Sequence, residues 1–243
     1  MVKVYGDESM DEADRVFTLA ALIGEEGEWG RLANRWQARC LEDGIKCYHA
    51  SDCAGQWSDF KHLSKERCVS LNADLTTYMT ETKLWGFAVS VSNKDYLDVS
   101  QSSAEAKVVL GSSQYFLAMQ LLVFRICEDF LINNPNYPMA FLFEENKGVS
   151  GQAKQIWDEV RKKNLDLSDC MGSISYVPKR LLVPLQVADE FAFESMKNAL
   201  AYLDGRVDRK PIARLKEGKI IKRLDWLDKK GLEGIVAQQR HLV

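Results

Sequence analysis

The chain has 243 residues, 46% of them hydrophobic and 28% charged, with a formal net charge of −3. That composition is enough to bury a core and too apolar for disorder, and the slight acidity excludes a protein that is basic throughout. No apolar run reaches the roughly 18–20 residues that span a bilayer, and the opening MVKVYGDES carries acids in place of a signal-peptide pattern, so no membrane partner and a cytosolic location are expected. The six cysteines contain no C-x-x-C pair, as suits reduced thiols. Cys47, His49, Cys53 and His62 are zinc-type side chains, but their spacing fits none of the common finger patterns.

Residues 2–5 (VKVY) alternate and predict a strand ending at Gly6-Asp7-Glu8-Ser9, and VFTLAALIG at 16–24 predicts its hairpin partner. Trp29, Leu32, Trp36 and Cys40 then recur at helical spacing, with Gly44 where a helix terminates. Residues 45–62 are irregular, with two His, two Cys and a Trp. Ser64 caps a helix running to about Thr80, and LWGFAVSVS (84–92) is a third strand.

The second half alternates between helix and strand. A long helix is predicted from Glu105 to Ile132, apolar nearly all round and therefore buried. MAFLFEE (139–145) is an apolar strand ending in two carboxylates. Ser150 caps a helix through Lys163, SISYVPK (173–179) is a fifth strand, and LLVPLQVADEFAFESMKNALAYL (181–203) is a buried helix that tolerates Pro184 in its first turn. Between Gly205 and Gly231 ten basic residues face four acids, so that segment is +6 and the remainder −9. It is expected to be a basic C-terminal extension (205–243) to a domain at 1–204, and Arg214, Lys222 and Arg223 are its candidate contacts to nucleic acid. A solvated amphipathic tail is the plainer reading.

The order is a β-meander followed by βαβαβα, with a helical insertion at about 25–82 between strands two and three. Without that insertion this is the ribonuclease H order: an α/β fold on a five-stranded mixed sheet. Right-handed crossovers place strand four beside strand one, so the acids ending those strands become neighbours. A loop switch of this kind is where α/β sheets build sites.

Asp7 and Glu8 stand where any solvated turn would put acids, whereas Glu144 and Glu145 end an apolar core strand directly. In the last helix, Gln186, Asp189 and Phe193 share a face with Leu182 and Leu185. A bare carboxylate buried there costs several kcal/mol unless paired or ligated, and pairing with a base such as Arg180 would make it structural. Converging carboxylates without histidine favour Mg²⁺ or Mn²⁺, ions that activate water and neutralise charge on a phosphoryl group. His49 is a candidate proton shuttle. Trp57 and Phe60, beside Lys61 and His62, have the composition to stack an unpaired base, although loop aromatics more often plug a core.

Three motifs also carry a resemblance: GDES at 6–9, YHASD at 48–52 and P-L-Q-x-A-D-x-x-A at 184–192. Together they resemble the DUF3800 family of uncharacterised bacterial proteins, over residues 2 to about 203. Membership implies a ribonuclease H-like fold and an association with mobile elements or phage defence. It also implies a site of Asp7, Glu144 or Glu145, and Asp189, with Glu8 and Glu190 as close substitutes. Met10 stands where that family has glycine, and Glu105 and Glu128 lie at the ends of the long helix rather than where ribonuclease H places a glutamate. The leading expectation is a metal-dependent phosphodiesterase or nuclease. The rival is a non-catalytic binding or regulatory module, in which Lys or Arg would occupy the acids. An ATP-using relative lacks any glycine-rich phosphate loop here.

Overall fold

The computed structural model describes residues 1–133, 137–145, 150–163 and 165–240. In chain order the elements are β1 (Val2–Met10), β2 (Val16–Glu25), α1 (Glu26–Glu42), α2 (Ala50–Gly55), a short 3-10 turn (Ser58–Phe60) and α3 (Lys65–Thr80). Then come β3 (Trp85–Ser92), α4 (Asn93–Ser100), α5 (Ala104–Leu110), α6 (Gln114–Asn133), β4 (Met139–Glu144), α7 (Ser150–Lys163) and α8 (Leu165–Ser168). The chain ends with β5 (Met171–Val177), a second 3-10 turn (Lys179–Leu181), α9 (Val183–Leu203), α10 (Lys210–Glu217), β6 (Ile221–Leu227) and α11 (Lys229–Arg240).

The sheet is six-stranded, in the order β5-β4-β1-β2-β3-β6. β1, β2 and β3 form an antiparallel meander; β4 lies parallel to β1, β5 parallel to β4, and β6 parallel to β3. The adjacency of strands one and four therefore holds. Two expectations do not. The sheet has six strands rather than five, because β6 comes from the segment expected to be an extension. Its pattern is masked by Lys222, Arg223 and Asp225, yet Leu224 and Trp226 pack into one core and Leu227 into the other. Charges are tolerated there because β6 is an edge strand. Residues 205–240 thus complete the sheet and its helical cover.

The long buried helix is also broken in two. Gly111 adopts φ +78°, and a Cβ at that position would collide with the Phe116 ring. α5 and α6 consequently meet at a bend of 53°. No single helix among the described residues is long and apolar enough to cross a membrane.

Each face of the sheet carries a core. Val2, Val4, Phe87, Phe141 and Phe143 face α6 on one side. Tyr5, Ala20, Leu22 and Ala88 face α1, α3 and α9 on the other, around Trp36 and Phe191. α9 lies on this second face, against β1 and β2, and nearly all of it is buried because it has sheet on one side and the 26–80 insertion on the other. A buried ion network, Arg39 to Asp43 at 2.6 Å and to Asp74 at 2.8 Å, with Arg67 to Asp43 at 2.6 Å, ties α1 to α3.

Candidate functional site

β1 continues through the GDES residues to Met10, paired with β2 along its whole length (Asp7 opposite Ala20, Met10 opposite Phe17). The turn begins at Asp11, whose carboxylate accepts from the backbone N–H of Arg15 (2.6 Å) and Val16 (2.8 Å). Asp7 is thus a strand residue, and strand parity decides what it faces. Tyr5 and Asp7 point towards α9, while Val4, Gly6 and Glu8 point towards α6. On β4, Met139, Phe141 and Phe143 belong to the α6 core and Leu142 to the α9 core. Parallel pairing sets Gly6 beside Phe143, so Glu144 is the neighbour of Asp7. Glu145 is exposed, and its backbone N–H donates to Val177 O at 3.2 Å. Glu8, on the opposite face, is not a substitute for Asp7.

Asp189 completes the group from α9. At the focus of the three acids stands Lys179, the first residue of the turn after β5. Its Nζ is 3.0 Å from Asp7 Oδ2, 2.6 Å from Glu144 Oε2 and 2.7 Å from Asp189 Oδ1. Arg180, considered from sequence as the partner of Asp189, is exposed. Its neighbour takes that place because Pro178 ends β5 beside β4 and the tight turn carries residue 179 inward. One signal in the sequence pointed there: a lysine just beyond a strand whose parallel neighbours end in acids.

The second oxygen of Asp189 accepts from the Ala50 N–H at 2.6 Å. Gln186 Oε1 accepts from the Tyr48 N–H at 2.9 Å, and Tyr48 Oη donates to Glu190 Oε2 at 2.5 Å. Two motifs far apart in sequence, YHASD and LQVAD, are therefore docked on one another, and that docking fixes Asp189. Gln186 and Glu190 serve this docking and do not reach the focus. Glu190 is fully enclosed; burial first, then the adjacent Glu194, push its carboxyl up to about 8. His49 is half-buried, with Nε2 3.6 Å from Asp189 Oδ1 and Nδ1 3.2 Å from Ser51 Oγ. It lines an acidic pocket of about 350 Å³ with Glu12, Trp57 and Asp189. Trp57 is 51% exposed there, whereas Phe60 is 1% exposed and packs edge-on against Tyr48, so the expected aromatic pair is divided between surface and core.

Burial raises the Asp7 carboxyl well above the usual carboxylate range; Lys179 opposes the shift, and Asp189 and Glu144 add to it. Burial would lower the Lys179 ammonium, but Asp189, Asp7 and Glu144 outweigh it and hold the group charged. A folded-state carboxyl raised in this way keeps a proton that the unfolded chain has lost. Its effect is thus to reduce stability as pH rises from about 4 towards the folded value, by about 1.4 kcal/mol per pH unit. Asp7→Asn cannot ionise. In thermal melts with chelator, it is expected to match wild type near pH 4 and to gain on it as pH rises from there. Each kcal/mol gained corresponds to about 3 °C in a chain of this size, and a gain independent of pH would contradict the assignment.

Of the three basic residues singled out in the 205–231 segment, Arg214 lies on α10, and Lys222 and Arg223 lie on β6. Arg214 Nη1 donates to Ala73 O (2.9 Å) and Thr77 Oγ1 (3.1 Å) on α3. Lys222 lies over the Trp85 ring at 4.7 Å, and Arg223, next to it on β6, pairs with Asp225 at 2.8 Å. Lys222 stands at a register shift between β3 and β6, where Ile221 pairs with Gly86 and Arg223 with Phe87, so strict alternation does not separate it from Arg223.

Fold and site together define a mixed α/β protein in which a buried carboxylate–ammonium cluster lies where the parallel strands β4 and β5 give way to loops, alongside the continuing strand β1. No protein-family model matches the chain, and no curated protein matches it. Among solved structures, it is similar to a chain of the PCNA:RNase HII complex from Archaeoglobus fulgidus, with 10% sequence identity and a TM-score of 0.44 over 89% of this chain and 87% of that one.

Proposed function

We propose that this chain is a ribonuclease H-like protein of the DUF3800 kind and acts as a divalent-cation-dependent phosphodiesterase on nucleic acid. The fold part rests on the strand arrangement, a three-stranded meander with β4 and β5 added in parallel beside β1. One observation carries the activity: three carboxyl groups surround a single ammonium. A structural ion pair needs one carboxylate. Extra acids in a buried site repel one another and raise the Asp7 carboxyl, a cost that a bound cation would offset.

The donor set suits a hard cation, being all oxygen and converging on one point. Glu144 Oε2 is buried, and its close contact is the 2.6 Å ion pair with Lys179 Nζ. The spacing is that of an ammonium: among the described residues no three such side chains are set to ligate a metal ion as they stand. Binding of Mg²⁺ or Mn²⁺ by Asp7, Glu144 and Asp189 therefore requires Lys179 to withdraw. When bound, such an ion lowers the pKa of a water and neutralises charge developing on a phosphoryl group. Lys179, on its flexible four-carbon stem, then offers its ammonium to a phosphate oxygen. His49, facing the acidic pocket, accepts or returns a proton.

A second reading has one observation in its favour, that Lys179 fills the focus. In that reading the acids are permanently neutralised and the domain binds without catalysis. Hydrolysis of bis(p-nitrophenyl) phosphate with Mn²⁺ separates the two, using paired variants that strand parity makes unequal. Glu144→Gln is expected to remove the metal-dependent rate and Glu145→Gln to leave it intact. Equal effects, or no metal-dependent rate in the wild type, would favour the binding module. Six free cysteines accord with the reducing compartment we assign to it.

A further inference from the structure

The acidic pocket shares a wall, Ala54 and Phe193, with a larger cleft of about 570 Å³ between α2 and α3 on one side and α9 and α10 on the other. The two are opposite in character. Around the acidic pocket stand Asp11, Glu12 and Asp189 against Lys197. Around the cleft stand Lys65, Arg209, Lys210 and Arg214 against Glu194 and Asp208. Both of the cleft's acids are already engaged: Glu194 accepts from Arg209 at 2.9 and 3.1 Å, and Asp208 pairs with Lys216 at 2.6 Å. No acid among the described residues forms an ion pair with Lys65, Lys210 or Arg214, although Glu66 feels the charge of Lys65, and the rim as a whole is net positive.

Below that rim the cleft is apolar, walled by Ala50, Cys53, Cys68, Ala73 and Phe193. Its volume falls in the range of sites that hold a small organic molecule. A basic rim over an apolar floor suits an anion with an apolar portion, and the shared Ala54 and Phe193 leave the cleft next to the pocket that Asp189 lines. We propose that the cleft seats one nucleotide unit of single-stranded nucleic acid, the base in the apolar chamber and its phosphates at Lys65, Lys210 and Arg214, with the strand running on to the carboxylate site. This rests on the phosphodiesterase reading and extends it: the substrate would be single-stranded, because a paired base cannot enter the chamber.

The test is fluorescence anisotropy with a short labelled oligothymidylate and the full-length chain in chelator, so that no cation is needed for binding. Lys65→Ala/Lys210→Ala is expected to weaken binding about tenfold or more. It should also flatten the slope of log K against log salt by about 1.4, since each phosphate contact on a single strand contributes about 0.7. An oligonucleotide of equal length and charge with abasic sites should bind about tenfold more weakly, because the base contributes its own contact. Ala73→Trp, which fills the chamber, should weaken the normal strand while leaving the abasic one unchanged. No binding by the wild type, equal affinity for the abasic strand, or a double variant that binds normally would each overturn the proposal. Bis(p-nitrophenyl) phosphate is too small to need the cleft. Its hydrolysis by the double variant at the wild-type rate, with oligonucleotide affinity reduced, supports the cleft assignment. Intact oligonucleotide binding without any hydrolysis would remove the catalytic reading and leave the cleft standing.

Discussion

Replacing Lys179 with methionine is expected to destabilise the metal-free protein by about 3–5 kcal/mol, the usual cost of breaking a buried ion pair by removing one partner. Asp7, Glu144 and Asp189 would then face one another with no cation between them, and part of the loss would appear as proton uptake. The same variant should respond more strongly than wild type to Mn²⁺ or Mg²⁺, because the ammonium that competes for the focus is gone. At a hundred times the dissociation constant, an ion that binds only the folded state contributes about 2.7 kcal/mol, enough to restore much of the loss. Melts with chelator and with each cation read both effects. A loss that no divalent cation restores would mean that Lys179 is the permanent occupant and the cluster is architecture.

Asp189→Asn should behave very differently. The amide oxygen still accepts from the Ala50 N–H; its NH2 then stands where Oδ1 met the ammonium, and Lys179 turns to Asp7 and Glu144, now at 3.0 and 2.6 Å. No buried charge is left alone, so the melting transition should move by no more than about 1–2 kcal/mol. Metal-dependent hydrolysis, in contrast, should fall at least a hundredfold, since even changes to groups supporting a ligand cost about 10–100-fold, and Mn²⁺ should no longer raise the melting temperature. A drop in stability as large as that of the Lys179 variant would show that Asp189 alone neutralises the ammonium. Retained activity would remove Asp189 from the reaction.

These contrasts depend on details that the sequence offered unequally. The terminal acids of strands one and four were visible because they interrupt apolar patterns, and crossover handedness was enough to bring them together. The choice between Glu144 and Glu145 was not visible. It follows from parallel register and period-two alternation, which require knowing that Gly6 lies beside Phe143. The length of β1 was hidden because GDES is polar, yet β2 stays paired with it as far as Met10 opposite Phe17, and a strand continues through polar residues while its backbone groups are paired. The break at Gly111 was hidden by the apolar run around it. β6 was hidden by its charges, which an edge position permits.

Local pattern therefore determined by itself the α/β class, the Ser64 cap, the burial of the last helix and the candidacy of Asp7, the β4 acids and Asp189. Those features depend on residues a few positions apart, whose spacing a linear string preserves. Tertiary structure alone decided that Lys179 stands among the acids, that Tyr48 and Ala50 dock onto Gln186, Glu190 and Asp189, and that the 205–240 segment closes the sheet beside β3. It also set a basic, apolar-floored cleft against an acidic pocket. Each of these joins side chains from elements distant in sequence, and their partnership is fixed by register, crossover and packing, which leave no periodic mark in the chain.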